Sequence, residues 1–455
     1  MAHTLFDKLW DAHLVASDEA GESLIYVDRV CMHERTGSIA MQSLIERGLE
    51  VRRPEHAYCV MDHTVDTRPG RGDATPAPGG EAFIASARGS AHALGLRIFD
   101  VNDDDQGISH LVSAEQGFAV PGVTLVCPDS HTCTLGALGA LAIGVGASQV
   151  EHALATSCVR LTKPEAMRIR FDGILAPWVT AKDMALHLIA EYGADAAKGT
   201  AVEYSGSAVQ ALSVEARMTL CNLAVEFAAF TALIAPDDKT IAYVSGRRYA
   251  PRPLPTDAWR ALDSDACAEF AHEISIDASR IRPRITWGTS PDQGIAVDGI
   301  VPEPESRDAK KALDYMGISH GTRMTDVDID AAFIGSCTNS RLGDLRAAAR
   351  ILRNRRVAPG VAAVCVPGST HVKREAEAEG LDKVFRDAGF EWRESGCSMC
   401  FYAGGETFGP GKRVVTSTNR NFEGRQGPAV RSHLASPEVV AASAVRGAIS
   451  SPEML

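Results

Sequence analysis

From His131 to Val150 the chain carries no formal charge beyond a His131 proton, yet it holds Gly136, Gly139, Gly144 and Gly146. A stretch this long without ions has to be buried. Either a bilayer or a protein core can bury it. The glycines, with Thr, Ser and Gln among them, interrupt the continuous apolar helix that a membrane span needs. The expectation is a glycine-rich loop and helix in a packed core, with no membrane partner. The opening MAHTLFDKLWDAHLV contains acids and has no basic region leading into an apolar one. Neither a secretion signal nor a transit peptide is expected, and the protein is placed in the cytoplasm.

Around this core the sequence alternates. Leu24–Asp28 and Thr124–Cys127 are short apolar runs suited to buried strands, and Thr4–Val15 and Gly80–Leu94 have helical spacing. Near Thr162–Pro164 a new strand, Met167–Phe171, begins, so a boundary is placed there. A helix is expected over Ser213–Ala229, a charged proline-bearing region over Arg247–Pro255, and a surface connection over Glu303–Lys311. The last third alternates again: strands Ala331–Ile334, Ala362–Val366 and Val414–Ser417, and helices Leu342–Arg353, His371–Ala388 and Pro437–Ile449. Such alternation predicts an α/β architecture with mostly parallel sheets.

At 455 residues the chain is long enough for several domains, and 45% apolar residues exclude disorder as its dominant state. A net charge of −12 argues against a nucleic-acid binder, which needs a basic surface. It leaves room for a small anion, because a few arginines in one cleft reverse the local potential.

Eight of the eleven cysteines (Cys31, Cys59, Cys127, Cys133, Cys158, Cys221, Cys267, Cys365) stand singly and fit small buried hydrophobes. Cys337 differs. It lies in Gly335-Ser336-Cys337-Thr338-Asn339-Ser340, after a strand and before a helix, where open α/β sheets place ligands. Cys397 and Cys400 form a C-x-x-C. A closed zinc site or a redox cluster takes four protein ligands. Three thiols on a four-iron cluster would leave one iron open as a Lewis acid. By spacing alone, a chance pair, a dithiol, half a zinc site and a cluster all remain open.

Polar groups gather at other strand ends. Asp62-His63 follows Tyr58–Met61, Asp129-Ser130-His131-Thr132 follows Thr124–Cys127, and His110 closes Gln106–His110. Such groups suit proton transfer near neutral pH, or they satisfy loops. Asn222 and Glu226 lie four apart on the expected Ser213–Ala229 helix and would share a face. Asn419-Arg420-Asn421-Phe422-Glu423-Gly424-Arg425 follows a strand and offers two guanidinium forks for carboxylates.

Together these runs resemble the aconitase superfamily, and within it the large subunits of 3-isopropylmalate dehydratase. The resemblance rests on Met61–His63, Asp129–Thr132, Val150–Thr156, Met218–Asn222, Thr286–Thr289, the run through Cys337, the run through Cys397 and Cys400, and Asn419–Gly427, in family order along nearly the whole chain. It implies three α/β/α domains of the aconitase type (1–165, 166–285, 286–455) around a central iron–sulfur cluster, the third carrying its cysteines. Cys337, Cys397 and Cys400 would hold a [4Fe–4S] cluster with one iron lacking a protein ligand. Asp62, His63, His110, Asp129, His131 and Glu226 would be catalytic. His33, Ser130, Asn222, Asn419, Arg420 and Arg425 would bind substrate.

The activity implied is reversible dehydration and rehydration of a substituted malate. The default is 2-isopropylmalate to 3-isopropylmalate by way of isopropylmaleate, in leucine biosynthesis. A paralogue acting on 2-methylmalate/citraconate or another hydroxy-dicarboxylate is the alternative. The resemblance implies that the swivelling fourth domain is not on this chain, so a small swivelling-domain subunit is the expected partner, in a heterodimer or heterotetramer. Two runs depart from the family: Phe401–Glu406 after the C-x-x-C, and Cys133-Thr134-Leu135-Gly136 after the Ser-His-Thr run. They bear on the substrate, not on the reaction class. An RNA-binding regulator and a structural zinc protein are the non-enzyme readings.

Overall fold

The computed structural model describes residues 2–455. The chain divides into two compact units. One comprises Met1–Asp62, Glu81–Ile174 and Ala197–Ala278, the other His63–Gly80, Leu175–Ala196 and Ser279–Leu455.

The first unit contains a five-stranded parallel sheet in the order Arg97–Phe99, Ala57–Val60, Arg29–His33, Thr124–Cys127, Leu141–Gly144. Ala57–Val60 and Thr124–Cys127 are buried at every position. Parallel strands covered on both faces take such unbroken apolar runs. Strand order reverses between Arg29–His33 and Thr124–Cys127, the switch point where doubly wound sheets open a crevice. The uncharged stretch enters here as a 3-10 segment, Ser130–Leu138, buried throughout after Ser130. Gly136 has to be glycine, since a Cβ there would sit 1.7 Å from the Ala232 carbonyl oxygen. The same unit holds a four-stranded parallel sheet, Thr231–Leu233, Thr200–Ser205, Glu165–Asp172, His272–Asp277, and an antiparallel sheet of Leu14–Ser17, Glu22–Tyr26 and Cys158–Thr162.

The second unit is built on another five-stranded parallel sheet: Glu391–Trp392, Ala362–Cys365, Ala331–Ile334, Arg413–Thr416, Arg431–Leu434. Numbered along the chain, its strand order matches that of the first unit's five-stranded sheet. Its reversal falls between Ala331–Ile334 and Arg413–Thr416. Phe333, Val364, Val366, Val414 and Met399 pack into one buried cluster on this sheet.

Several expected elements change. Ser213–Ala229 is an α-helix only over Val214–Asn222 and continues as the 3-10 segment Leu223–Phe227. Asn222 and Glu226 therefore do not share a helical face, because four steps at three residues per turn rotate a side chain by a third of a turn. His371–Ala388 is two helices, Thr370–Ala378 and Leu381–Ala388, divided at Gly380, whose φ is +73°. Leu24–Asp28 spans a bend between two strands, Glu22–Tyr26 and Arg29–His33. Glu303–Lys311 is a connection only up to Ser306, which caps the helix Arg307–Met316 by accepting from Ala309 N–H.

Candidate active site

In the first unit the polar groups collect at the switch point. Asp129 caps the Ser130–Leu138 segment. Its Oδ1 accepts from His131 N–H at 2.7 Å and lies 3.0 Å from His110 Nε2. His131 Nε2 lies 3.0 Å from Glu226 Oε1. The result is a chain of titratable groups, His110–Asp129–His131–Glu226, with both imidazoles buried. The exposed Ser130 hydroxyl lies 3.3 Å from His131 Nδ1. His110 Nδ1 has no protein partner although buried. His33 ends the first strand of the sheet and faces the Pro128 carbonyl, Nε2 to O 3.1 Å. Asp62 is fully buried. Its Oδ2 accepts from Ser109 N–H at 2.8 Å, and its own N–H donates to Glu34 Oε2 at 3.0 Å. Asn222 donates to Thr134 Oγ1 at 2.8 Å.

In the second unit the switch point holds sulfur. Cys337 follows Ala331–Ile334, and Cys397 and Cys400 flank a short turn after Glu391–Trp392; all three are buried and none is in a disulfide. Asn419, which follows Arg413–Thr416, ties two of them together. Its Nδ2 lies 3.5 Å from Cys337 Sγ and its Oδ1 3.8 Å from Cys400 Sγ. Ser336 takes the left-handed region, φ +85°, and its Oγ lies 3.0 Å from Cys400 Sγ. Ser398, between the two cysteines of the C-x-x-C, is also left-handed at φ +46°. Non-glycine residues held there store strain of about 1–3 kcal/mol each, and such strain collects at functional sites. Arg425 reaches the same cluster, with Nη2 3.7 Å from Cys400 Sγ and 3.5 Å from Asn419 Oδ1. Its guanidinium stands over the rings of Phe401 and Phe422, at 4.8 and 5.5 Å. Its Nε is buried without a protein acceptor, so a bidentate acceptor finds a free donor. His63 and Arg420 are partly buried.

Two comparisons decide the family. The sequence model of the aconitase family (aconitate hydratase) matches residues 7–447. A protein of Bradyrhizobium diazoefficiens, "3-isopropylmalate dehydratase large subunit 1", is 49% identical over 98% of this chain and 96% of its own length. The chain belongs to the aconitase family. A "3-isopropylmalate dehydratase large subunit" of Roseiflexus castenholzii is 45% identical over 99% of both chains. Among solved structures, Thermococcus kodakaraensis aconitase X in its holo-form aligns with 88% of this chain and 84% of its own at 11% identity and a TM-score of 0.46.

As an aconitase-family hydro-lyase the protein takes an iron–sulfur cluster. The donor set fits. Cys337 and Cys400 are held near one another by Asn419, Cys397 shares the turn of Cys400, and the surrounding Asn and Ser groups can hydrogen-bond to sulfur. No helix among the described residues is long and apolar enough to cross a membrane.

The sequence did not single out the groups that hold these residues. Glu34, fully buried beside Asp62, stands in the strand-end run His33-Glu34, which was a usable signal. Glu406 accepts from Ser398 Oγ at 2.7 Å and from Arg393 Nη1 at 2.6 Å. It closes the departing run Phe401–Glu406. In that run Gly405 is required, because a Cβ would lie 2.1 Å from the Pro76 carbonyl oxygen.

Proposed function

We propose that this chain is the large subunit of a 3-isopropylmalate dehydratase, interconverting 2- and 3-isopropylmalate by way of isopropylmaleate in leucine biosynthesis, and that it works in the cytoplasm. The observation that carries the reading is its near full-length likeness to two large subunits of that name. Cys337, Cys397 and Cys400 hold a [4Fe–4S] cluster with one iron free of protein ligands. That cluster supplies Lewis acidity toward the leaving hydroxyl.

The rest is done by the chain's own side chains. His131, oriented by Asp129 through its N–H and by Glu226 at Nε2, holds the proton that leaves with the hydroxyl. Glu226 stabilises the imidazolium while His131 is charged. His110, with its free Nδ1, is a second donor near Asp129. Asp62 with His63 completes the polar set. Arg425 presents Nε and a rigid fork to a substrate carboxylate, and the Phe401 and Phe422 rings fix the plane of that fork. Arg420, Asn419, Asn222, Ser130 and His33 supply further substrate contacts. The three-domain division at 165 and 285 belongs to the same reading.

The partner in this reading is a small swivelling-domain subunit that brings the base for the carbon-bound proton. Exposed Phe422, in the run that carries Arg425, and exposed Tyr402, whose N–H donates to the Arg425 carbonyl at 2.9 Å, are 50% and 41% accessible and support a covered face there. The test is to purify the chain anaerobically, measure iron and sulfide, add the candidate small subunit, and follow hydration of isopropylmaleate and citraconate. Turnover of isopropylmaleate supports the assignment. Turnover of citraconate alone reassigns the substrate, and one zinc in place of iron and sulfide overturns the cluster.

A further inference from the structure

Lys182 is fully buried although it is the second residue of the helix Ala181–Tyr192. Burial strips the ammonium of water, and a helix N-terminus is the positive end of the dipole, so the position opposes a cation twice. Asp183, its neighbour, is occupied as a cap. Its Oδ2 accepts from the Thr180 N–H at 2.8 Å and hydroxyl at 2.7 Å, and its Oδ1 accepts from Arg284 N–H at 2.7 Å. The Lys182 ammonium instead donates to the carbonyls of Ser417 and Thr418. These residues lead directly into Asn419, the side chain that lies against Cys337 and Cys400.

Across the same switch point a second buried cation does the equivalent. Arg341, 2% exposed, donates from Nη2 to the Cys337 carbonyl at 2.7 Å and from Nη1 to the Thr338 carbonyl at 2.8 Å. Asp344 is the acid near both cations. Its two oxygens are already taken by Asn339 Nδ2 at 2.8 Å and Arg341 N–H at 3.0 Å. Two cations in a low-dielectric interior act strongly on any charge nearby. Burial pulls the Lys182 ammonium down from 10.5 to about 7, and the negative charges that work against that loss of its proton are, in decreasing order, Asp344, Asp183, Cys400 and Cys337.

We propose that Lys182 and Arg341 are positioning residues whose buried positive charge offsets the thiolates of Cys337 and Cys400, and so sets the reduction potential and iron retention of the cluster these cysteines hold. The inference rests on the cluster reading above. It adds a reason for two expensive buried cations that the dehydration chemistry does not use. Loss of a positive charge makes adding an electron less favourable, so the potential falls.

The test compares the anaerobically loaded wild-type chain with Lys182→Met, Arg341→Met and Arg341→Lys. The readouts are an EPR-monitored redox titration and the rate of iron release to a chelator. Both methionine variants are expected to shift the midpoint to more negative potential and to weaken iron retention roughly 10–100-fold, the usual scale for outer-shell changes. Arg341→Lys, which keeps the charge and loses the fork, should stay near the wild-type potential. Folded methionine variants with unchanged potential and iron release overturn the proposal. So does an Arg341→Lys shift equal to that of Arg341→Met, which would make the fork, not the charge, the active feature. If Lys182→Met does not fold, the two Arg341 variants decide. A wild-type chain that takes up no iron and sulfide refutes the cluster reading instead.

Discussion

His131 Nε2 and Glu226 Oε1 face each other at 3.0 Å across a sequence separation of 95 residues. The carboxylate holds the ring whose backbone N–H is already fixed by Asp129. Glu226→Gln keeps the shape and removes the charge that stabilises an imidazolium. The expected outcome is a fall in kcat of about 10²–10⁴-fold, the usual range for general acid–base groups, with iron content unchanged. Steady-state kinetics beside an iron and sulfide assay check it, and a wild-type kcat would reduce Glu226 to a loop contact.

Cys337→Ser should lose most of its iron, because a serine oxygen is a poor substitute for a soft thiolate. The same variant should remain folded, since serine is nearly the size of cysteine and position 337 faces the amide of Asn419, Nδ2 to Sγ 3.5 Å. Metal analysis with circular dichroism separates loss of ligand from loss of fold. Full iron and activity would remove Cys337 from the ligand set.

Arg425→Lys should weaken substrate binding despite conserving charge. Lysine offers no planar fork and cannot reproduce the fit between the Phe401 and Phe422 rings. An unpaired carboxylate in a closed site loses about 2–5 kcal/mol. The measurement is kcat/KM with cluster content held constant. Unaltered kinetics would leave Arg425 a shaping residue for its loop.

Glu438 gives a pH test of stability. Burial, then the negative charges of Asp183 and Asp344, push its carboxyl up from 4.5 to about 8. A raised folded value means that the stabilisation is complete below the unfolded value and is lost as pH rises through about 8. Glu438→Gln cannot ionise, so its thermal midpoint should gain on wild type between pH 5 and pH 9. At the alkaline end the stability gained is at most about 5 kcal/mol, given about 1.4 kcal/mol per pKa unit. A difference that does not change with pH would show that Glu438 is already paired.

The strands at both switch points were readable from sequence, because Thr124–Cys127 and Ala331–Ile334 are short apolar runs bounded by turns. The break at Asn222 was not. A change from α to 3-10 pitch leaves no mark in side-chain type, so Glu226 was found for the right neighbourhood by the wrong geometry. Gly380 is a usable break signal inside the single helix expected over His371–Ala388, and its positive φ is the reason. The cysteine trio could be seen, but not that Asn419 ties Cys337 to Cys400, since only the sheet order brings residues 337, 400 and 419 together. Lys182 and Arg341 were illegible for a general reason: a cation near a helix start reads as solvated until its burial is known.

Met399 stands between the two cysteines of the C-x-x-C and is buried on the sheet with Phe333, Val364 and Val414. Its carbonyl also accepts from Gln426 Nε2 at 2.8 Å. The turn is thus pinned by packing and a hydrogen bond that the chain itself supplies. Small zinc modules acquire their shape from the ion they bind, so that chelation unravels them. Here the packing of Met399 and the Gln426 hydrogen bond shape the turn from the polypeptide side. Under the proposed assignment of Cys397 and Cys400, a chain that loses iron should keep this turn folded, and rebuilding the centre should need no refolding.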